Sequence, residues 1–224
     1  MKICLIVQAR YSSQRLPGKV LMKINETPML EFTIRRLQKT KLFQNIYVLT
    51  SNHPEDEMIV NFCESRNIKY YTNSLNNVYQ RFKSFLNSKN YDAFVRISGD
   101  SPLIDPFLID RMLKKFRKNN YDLLTNVFPR TFPSGQSVEI IKSKVFLKVN
   151  ESLLSMDDKE HITSFFYKNY EQFNIVNVEC QYSHKNTKLS IDTIEDFNRL
   201  KSFLAKEIKI PAENIKINEI IKNW

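Results

Sequence analysis

Apolar residues recur along this chain in two alternating rhythms. Residues 2–9, KICLIVQA, carry a continuous apolar run, the pattern of a central strand buried on both faces of a sheet. Residues 27–40, TPMLEFTIRRLQKT, change to helical spacing: Leu30, Ile34 and Leu37 share one face, Thr27 can cap, and Pro28 suits the first turn. The exchange then repeats. NIYVLT (45–50) and IKYYT (68–72) predict strands. PEDEMIVNFCESRN (54–67), with acids early and a basic residue late, and NNVYQRFKSFLNSKN (76–90), with Val78, Phe82 and Phe85 inward, predict helices. DAFVRIS (92–98) reads as a strand, GDSPLIDP (99–106) as a loop, PFLIDRMLKKFRKN (106–119) as a helix and DLLTNV (122–127) as a strand.

The second half is less regular. SVEII (137–141) and FNIVNVE (173–179) predict strands, and SKVFLKVNESLL (143–154) and KEHITSFFYKNY (159–170) predict helices. KLSID (188–192) reads as a late strand leading into the helix TIEDFNRLKSFLAKEI (193–208), and PAENIKINEIIKNW (211–224) ends in a short helix. Such alternation predicts an α/β sandwich around a mostly parallel sheet, and sheets of that kind bind ligands beyond the carboxyl ends of their strands.

The residues just beyond each strand therefore matter most. After the first come Gln8, Ala9, Arg10, Ser12, Ser13, Arg15, Gly18 and Lys19; after the fourth come Ser98, Gly99 and Asp100; after the late one comes Asp192. Cations and carboxylates facing one crevice suit a nucleoside triphosphate with a divalent metal, because arginine and lysine neutralise phosphate oxygens and carboxylates hold hard Mg²⁺. The chain has three glycines, Gly18, Gly99 and Gly135, and two of them stand in these loops. Neither GxxxxGK[ST] nor GxGxxG is present, which argues against a Walker-type loop or an NAD-type site. The phosphates would instead be held by long basic side chains and a few loop N–H groups.

Composition sets wider bounds. With 224 residues, 42% of them hydrophobic, the chain is long enough for one domain, 1–224, with a substantial core. No apolar run reaches membrane-spanning length, and the N-terminus lacks a small-residue cleavage site, so no membrane partner is expected. Cys4, Cys63 and Cys180 show no CxxC spacing and fit a reducing cytoplasm; His53, His161 and His184 are too scattered for a metal cluster. The net charge of +10 suits a polyanionic small-molecule substrate or a nucleic acid, or reflects a lysine-rich composition. Lysines spread along the whole chain, without a basic cluster or stacking motif, weigh against nucleic acid.

The segment VQARYSSQRLPGKVLMKINETPMLE (7–31) resembles the opening of the sugar cytidylyltransferases of the spore-coat polysaccharide type, relatives of the CMP-sialic acid and CMP-Kdo synthetases. The resemblance continues in family order through NNVYQRF, VRISGDSPLIDP, FPSGQSVEI, KEHIT and LSIDTIEDF, across nearly the whole chain. It implies a glycosyltransferase-A-like nucleotidyltransferase fold: a three-layer α/β sandwich with a mostly parallel, mixed central sheet. The implied reaction joins CTP to an anionic sugar and releases pyrophosphate. The resemblance assigns Arg10, Ser13, Arg15 and Lys19 to the triphosphate loop beside Ala9, and Arg96, Ser98 and Gly99 to the nucleotide-lining strand end. It makes Asp100 and Asp192 the ligands of Mg²⁺, and turns Glu139, Glu160 and His161 toward the acceptor sugar.

Two departures stand out. Asn77 replaces a residue that is often acidic in the family, which bears on base or ribose contacts, and Glu26 stands near a common glycine, which suggests a different turn. Competing local roles are open at this point. Asp100 can cap a helix starting near Ser101, Asp192 can cap the helix after it, and Lys19 can be a plain surface lysine. His161 can pack or cap, and Tyr70, Tyr71 and Tyr79 can belong to the core or stack on a base. Related enzymes are commonly dimers; the phenylalanines of KEHITSFFYKNYEQF could serve a homodimer interface, and core burial explains them equally well. A nucleotidyltransferase using another NTP is the neighbouring alternative.

Overall fold

Strand β1 (Ile3–Gln8) runs through the centre of a seven-stranded sheet. The computed structural model describes residues 1–181, 184–205 and 215–224. On one side of β1 lie β4 (Ile46–Ser51) and then β5 (Tyr70–Asn73), both parallel to it. On the other side lies β6 (Ala93–Ser98), also parallel. The sheet continues through β8 (Glu139–Lys142), β7 (Leu123–Thr125) and β9 (Ile175–Asn177). Of these, β8 runs antiparallel to both its neighbours. The sheet is therefore mostly parallel and mixed, as expected. A small hairpin of β2 (Lys23–Ile24) and β3 (Thr27–Pro28) stands apart from it.

Alternate residues of the central strands feed two separate cores. Ile3, Leu5 and Val7 of β1 pack with Val95 and Ile97 of β6 on one face, while Cys4, Ile6 and Phe94 pack on the other. The first face is covered by α1 (Met29–Leu37), α2 (Glu57–Ser65), α4 (Pro106–Lys118), α8 (Ile194–Ala205) and α9 (Ile217–Asn223). The second is covered by α3 (Val78–Ser88), α5 (Ser143–Leu147) and α7 (Ser164–Lys168), through Val78, Phe82, Phe85, Phe146 and Phe166. The result is a three-layer sandwich.

Local expectations fail where side-chain chemistry interrupts a rhythm. Residues 143–154 form α5 and a separate 3-10 turn, Glu151–Leu153, whose start is capped by Asn150. Residues 159–170 split between the end of α6 (Met156–Glu160) and α7, because the Ser155–Asp158 capping box starts a short helix and His161 ends it. Thr27 pairs with Ile24 across the hairpin instead of capping α1. Glu26 keeps a glycine-like turn: Asn25 and Glu26 have φ of 47° and 65°. KLSID joins the sheet at no point; Lys188 makes one isolated bridge to Ser134. Residues 206–208 of the late helix and 211–214 of the tail lie outside the described residues.

Candidate functional site

The chain leaves β1 toward β4 and β5, then returns to place β6 on the opposite side, so the carboxyl ends of β1 and β6 flank a crevice. A cleft of about 430 Å³ opens there. From the β1 end it is lined by Gln8, Ala9, Arg10, Ser13, Gln14, Arg15 and Lys19, and from the β6 end by Arg96, Ser98 and Asp100. Glu160, His161 and Asp192 arrive from the second half of the chain, and Arg81 from α3.

The loop after β1 is folded by contacts that sequence spacing does not reveal. Tyr11 O accepts from the N–H groups of Ser13 and Gly18, each at 2.8 Å. Gly18 has φ +70°, a conformation that other residues adopt only with strain, and a Cβ there would lie 2.9 Å from the Tyr11 ring, so glycine is favoured. Tyr11 N in turn donates to the buried Asp56 at 2.6 Å, and Asp56 also accepts from Ser51 N at 2.9 Å and from the Ser51 hydroxyl. Asp56 thus ties the loop to the end of β4.

Lys19 lies at the centre. Its ammonium donates to Asp100 Oδ2 at 2.9 Å, to Asp192 Oδ1 at 3.2 Å and to the Ile191 carbonyl at 2.6 Å. The two aspartates, remote in sequence, therefore share one cation. Neither is a helix cap: Asp105 caps α4 by accepting from Phe107 N at 2.9 Å, and Thr193 and Asp196 form the reciprocal cap of α8. Asp192 is brought in by backbone pairing, with Ile191 N donating to Asp100 O at 2.9 Å and Leu189 N to Ser134 O at 3.0 Å. Gly135, at φ +80°, permits this approach, since a Cβ there would lie 2.6 Å from backbone atoms of Leu189 and Ser190.

Burial pushes the Asp192 carboxyl up, but Lys19, helped by Arg15 and Lys188, outweighs it and holds the group below the usual carboxylate range. Arg15 Nη2 meets Asp192 at 2.8 Å, and Arg10 Nη2 meets Glu160 at 2.9 Å. The loop cations expected to await phosphate are thus matched by carboxylates from distant segments. Arg81 fixes the turn before α3 by donating to Ser74 O from Nε at 3.1 Å and Nη2 at 2.7 Å, and burial lowers its pKa to about 10. An arginine inside an otherwise amphipathic helix was the sequence signal for it.

Two expected residues stand outside this cleft. Gly99 is not among its lining residues; its N–H donates to Gln8 O at 2.8 Å and closes β6 against β1. Glu139 lines an adjoining chamber, where it accepts from Arg96 Nη1 at 2.6 Å. Asn77 caps α3, accepting from Gln80 N at 2.8 Å, while its amide donates to Glu151 at 2.8 Å; it is also absent from the cleft wall. Tyr79 is core, its hydroxyl donating to the carbonyls of Phe146 and Val149, and Tyr71 packs edge-on against Phe85. Phe166 of the Phe-rich segment is buried in the second core, with Phe165 and Phe173 packed against it. Among the described residues no cluster of three or more His, Cys, Asp or Glu could hold a metal, and no helix is long and apolar enough to cross a membrane.

Comparison with known proteins places this geometry. The sequence model of the family described as Cytidylyltransferase matches residues 4–217. An uncharacterised protein of Methanocaldococcus jannaschii is 33% identical over 99% of this chain and 89% of its own length. The spore coat polysaccharide biosynthesis protein SpsF of Bacillus subtilis is 24% identical over 98% of this chain and 92% of its own. The solved structure of a cytidylyltransferase from Leptospira borgpetersenii superposes with a TM-score of 0.93 at 30% identity, covering 99% of this chain and 93% of that one.

Proposed function

The chain belongs to the cytidylyltransferase family, and on that premise we propose that it transfers CMP from CTP to an anionic sugar and releases pyrophosphate, for surface polysaccharide synthesis. The acceptor would be a sugar acid or a sugar or polyol phosphate. A relative from Shewanella frigidimarina, 24% identical over 92% of this chain and 86% of its own length, is named for 8-amino-3,8-dideoxy-manno-octulosonate, a sugar acid. The observation that carries the reading is the convergence of Asp100 and Asp192 on one cation, inside a cleft lined by Arg10, Arg15, Arg81 and Arg96.

An acceptor oxygen attacks the α-phosphorus of CTP, and the bond from that phosphorus to the leaving pyrophosphate oxygen breaks. A phosphate acceptor attacks as the anion, while a sugar hydroxyl would give up its proton to a base on the cleft wall, His161 or a carboxylate. Two anions must meet while negative charge grows on the leaving pyrophosphate, so positioning and charge neutralisation dominate the catalysis. Arg15 and Lys19 neutralise the β- and γ-phosphates and Arg10 reaches the α-phosphate, with the triphosphate taking these groups over from Asp192 and Glu160. Ala9, Ser13 and Ser98 line the nucleotide. Mg²⁺ is the proposed cofactor. Asp100 and Asp192 would hold it, and the donor set fits: two carboxylates already gather around a single positive charge, and Mg²⁺ is characteristically bound by one or two carboxylates plus phosphates and water. When bound, it supplies Lewis-acid neutralisation of phosphate oxygens. Glu160 and His161, on the cleft wall, are placed on the acceptor side of the reading. A cytoplasmic location belongs to it too, in keeping with the free thiols of Cys4, Cys63 and Cys180.

The test is pyrophosphate release from CTP and Mg²⁺ against a panel of sugar acids and sugar phosphates. Asp100→Ala and Asp192→Ala are each expected to abolish release, by about a hundredfold or more, while circular dichroism stays native. Near-normal turnover in either variant removes the metal role.

A further inference from the structure

A second chamber of about 310 Å³ adjoins the nucleotide cleft and shares Arg96 and His161 with it. Its charges are mostly matched within the protein. Glu139 is buried and gives one oxygen to Arg96 and the other to the Tyr167 hydroxyl. Burial, reinforced by the Glu139 charge, pushes the Tyr167 phenol far up, so it remains a protonated donor. The other nitrogens of Arg96 donate to Gln8 Oε1 at 3.1 and 3.2 Å. Asp157 is met by Lys168 at 3.0 Å.

Arg130 differs. Its Nη2 donates to Ser137 Oγ at 3.0 Å and its Nη1 to the Pro133 carbonyl at 3.4 Å, both neutral oxygens. Among the described residues it forms no ion pair, because Arg96 holds the nearby Glu139 carboxylate. Burial lowers its pKa, with Glu139 only partly offsetting the effect. A half-buried guanidinium lacking a carboxylate partner is poorly compensated in the protein alone, and its planar fork matches carboxylate and phosphate oxygens.

We infer that Arg130 receives the anionic group of the acceptor in this chamber and sets the enzyme's preference for charged over neutral sugars. The inference rests on the reading under Proposed function. The acceptor's reacting oxygen then lies toward the edge where Arg96 and His161 border both spaces. Arg96 and Tyr167 contribute by keeping the Glu139 carboxylate occupied, which leaves Arg130 available.

Arg130→Ala, Arg130→Gln and Arg130→Lys are assayed with CTP and the best wild-type acceptor from the same panel. For a sugar-acid acceptor its methyl ester, a neutral counterpart that keeps the reacting hydroxyl, is the control. A phosphate acceptor is itself the nucleophile and has no reacting neutral form, so for it the acceptor and CTP KM values alone decide. The alanine variant is expected to raise the acceptor KM by about 10- to 100-fold, leave the CTP KM within about twofold, and leave use of the neutral counterpart unchanged. Arg130→Lys recovers part of the loss. Arg130→Gln, which keeps a donor for Ser137, repeats the test if alanine disturbs the loop. An acceptor KM within about twofold of wild type, or a parallel rise in the CTP KM, overturns the inference alone. A wild-type enzyme silent on every acceptor overturns the reading beneath it as well.

Discussion

The Lys19 ammonium, on a side chain only 10% exposed, has exchanged nearly all its water for three protein oxygens, from Asp100, Asp192 and Ile191. A lysine buried to this degree needs such partners, and the carboxylates need a cation between them. One residue thus satisfies both sides while drawing together segments from opposite ends of the chain. Strain at a single residue is also visible at Glu26. With Asn25 it occupies the two central positions of a β-hairpin, both at positive φ, where the favoured pair is Asn-Gly. Glu26→Gly is expected to stabilise the fold by about 0.5–1 kcal/mol, seen as a higher urea midpoint at unchanged m-value.

Among the elements, the segment 188–192 is the one whose position decides the site. It is neither helix nor sheet strand, yet it delivers Asp192 by pairing its backbone with Ser134 and Asp100. Its close approach to Gly135 leaves no room for a side chain. Gly135→Ala is expected to cost about 2–4 kcal/mol of stability and to weaken Mg²⁺-dependent turnover more than CTP binding. Thermal melts and a Mg²⁺ titration of activity check it; a variant of wild-type stability and metal dependence would show that the contact is slack.

For the molecule as a whole, the excess of positive charge is spread over the surface, while the cleft balances cations with carboxylates drawn from several elements. On the proposed reading a triphosphate carrying a metal would replace those internal pairs, so its binding is expected to stabilise the native state globally. A thermal-shift series with the four NTPs and Mg²⁺ is expected to give its largest rise with CTP, equivalent to about 2.7 kcal/mol at a hundredfold excess over Kd. A larger rise with UTP would reassign the nucleotide, and a rise with nucleic acid but none with any NTP would favour a polyanion binder.

The alternation of apolar runs and amphipathic stretches was enough to determine the α/β class, the main strands and the strand ends at which the cleft lies. Those features are local, since burial on both faces of β1 and β6 requires apolar residues at every position and helical faces require periodic ones. Motif order likewise identified Arg10, Ser13, Arg15, Lys19, Asp100 and Asp192, all of which line one cleft. Only the tertiary structure decided how their charges pair, that Asp56 anchors the loop, that Glu139 is spent on Arg96, and that Arg130 is left without a carboxylate among the described residues. These are contacts between residues far apart in the chain, and no periodicity records which distant carboxylate meets which cation. The broken helices of the second half were hidden for a related reason: the Ser155–Asp158 capping box starts a separate short helix and His161 ends it, where the apolar spacing alone would continue.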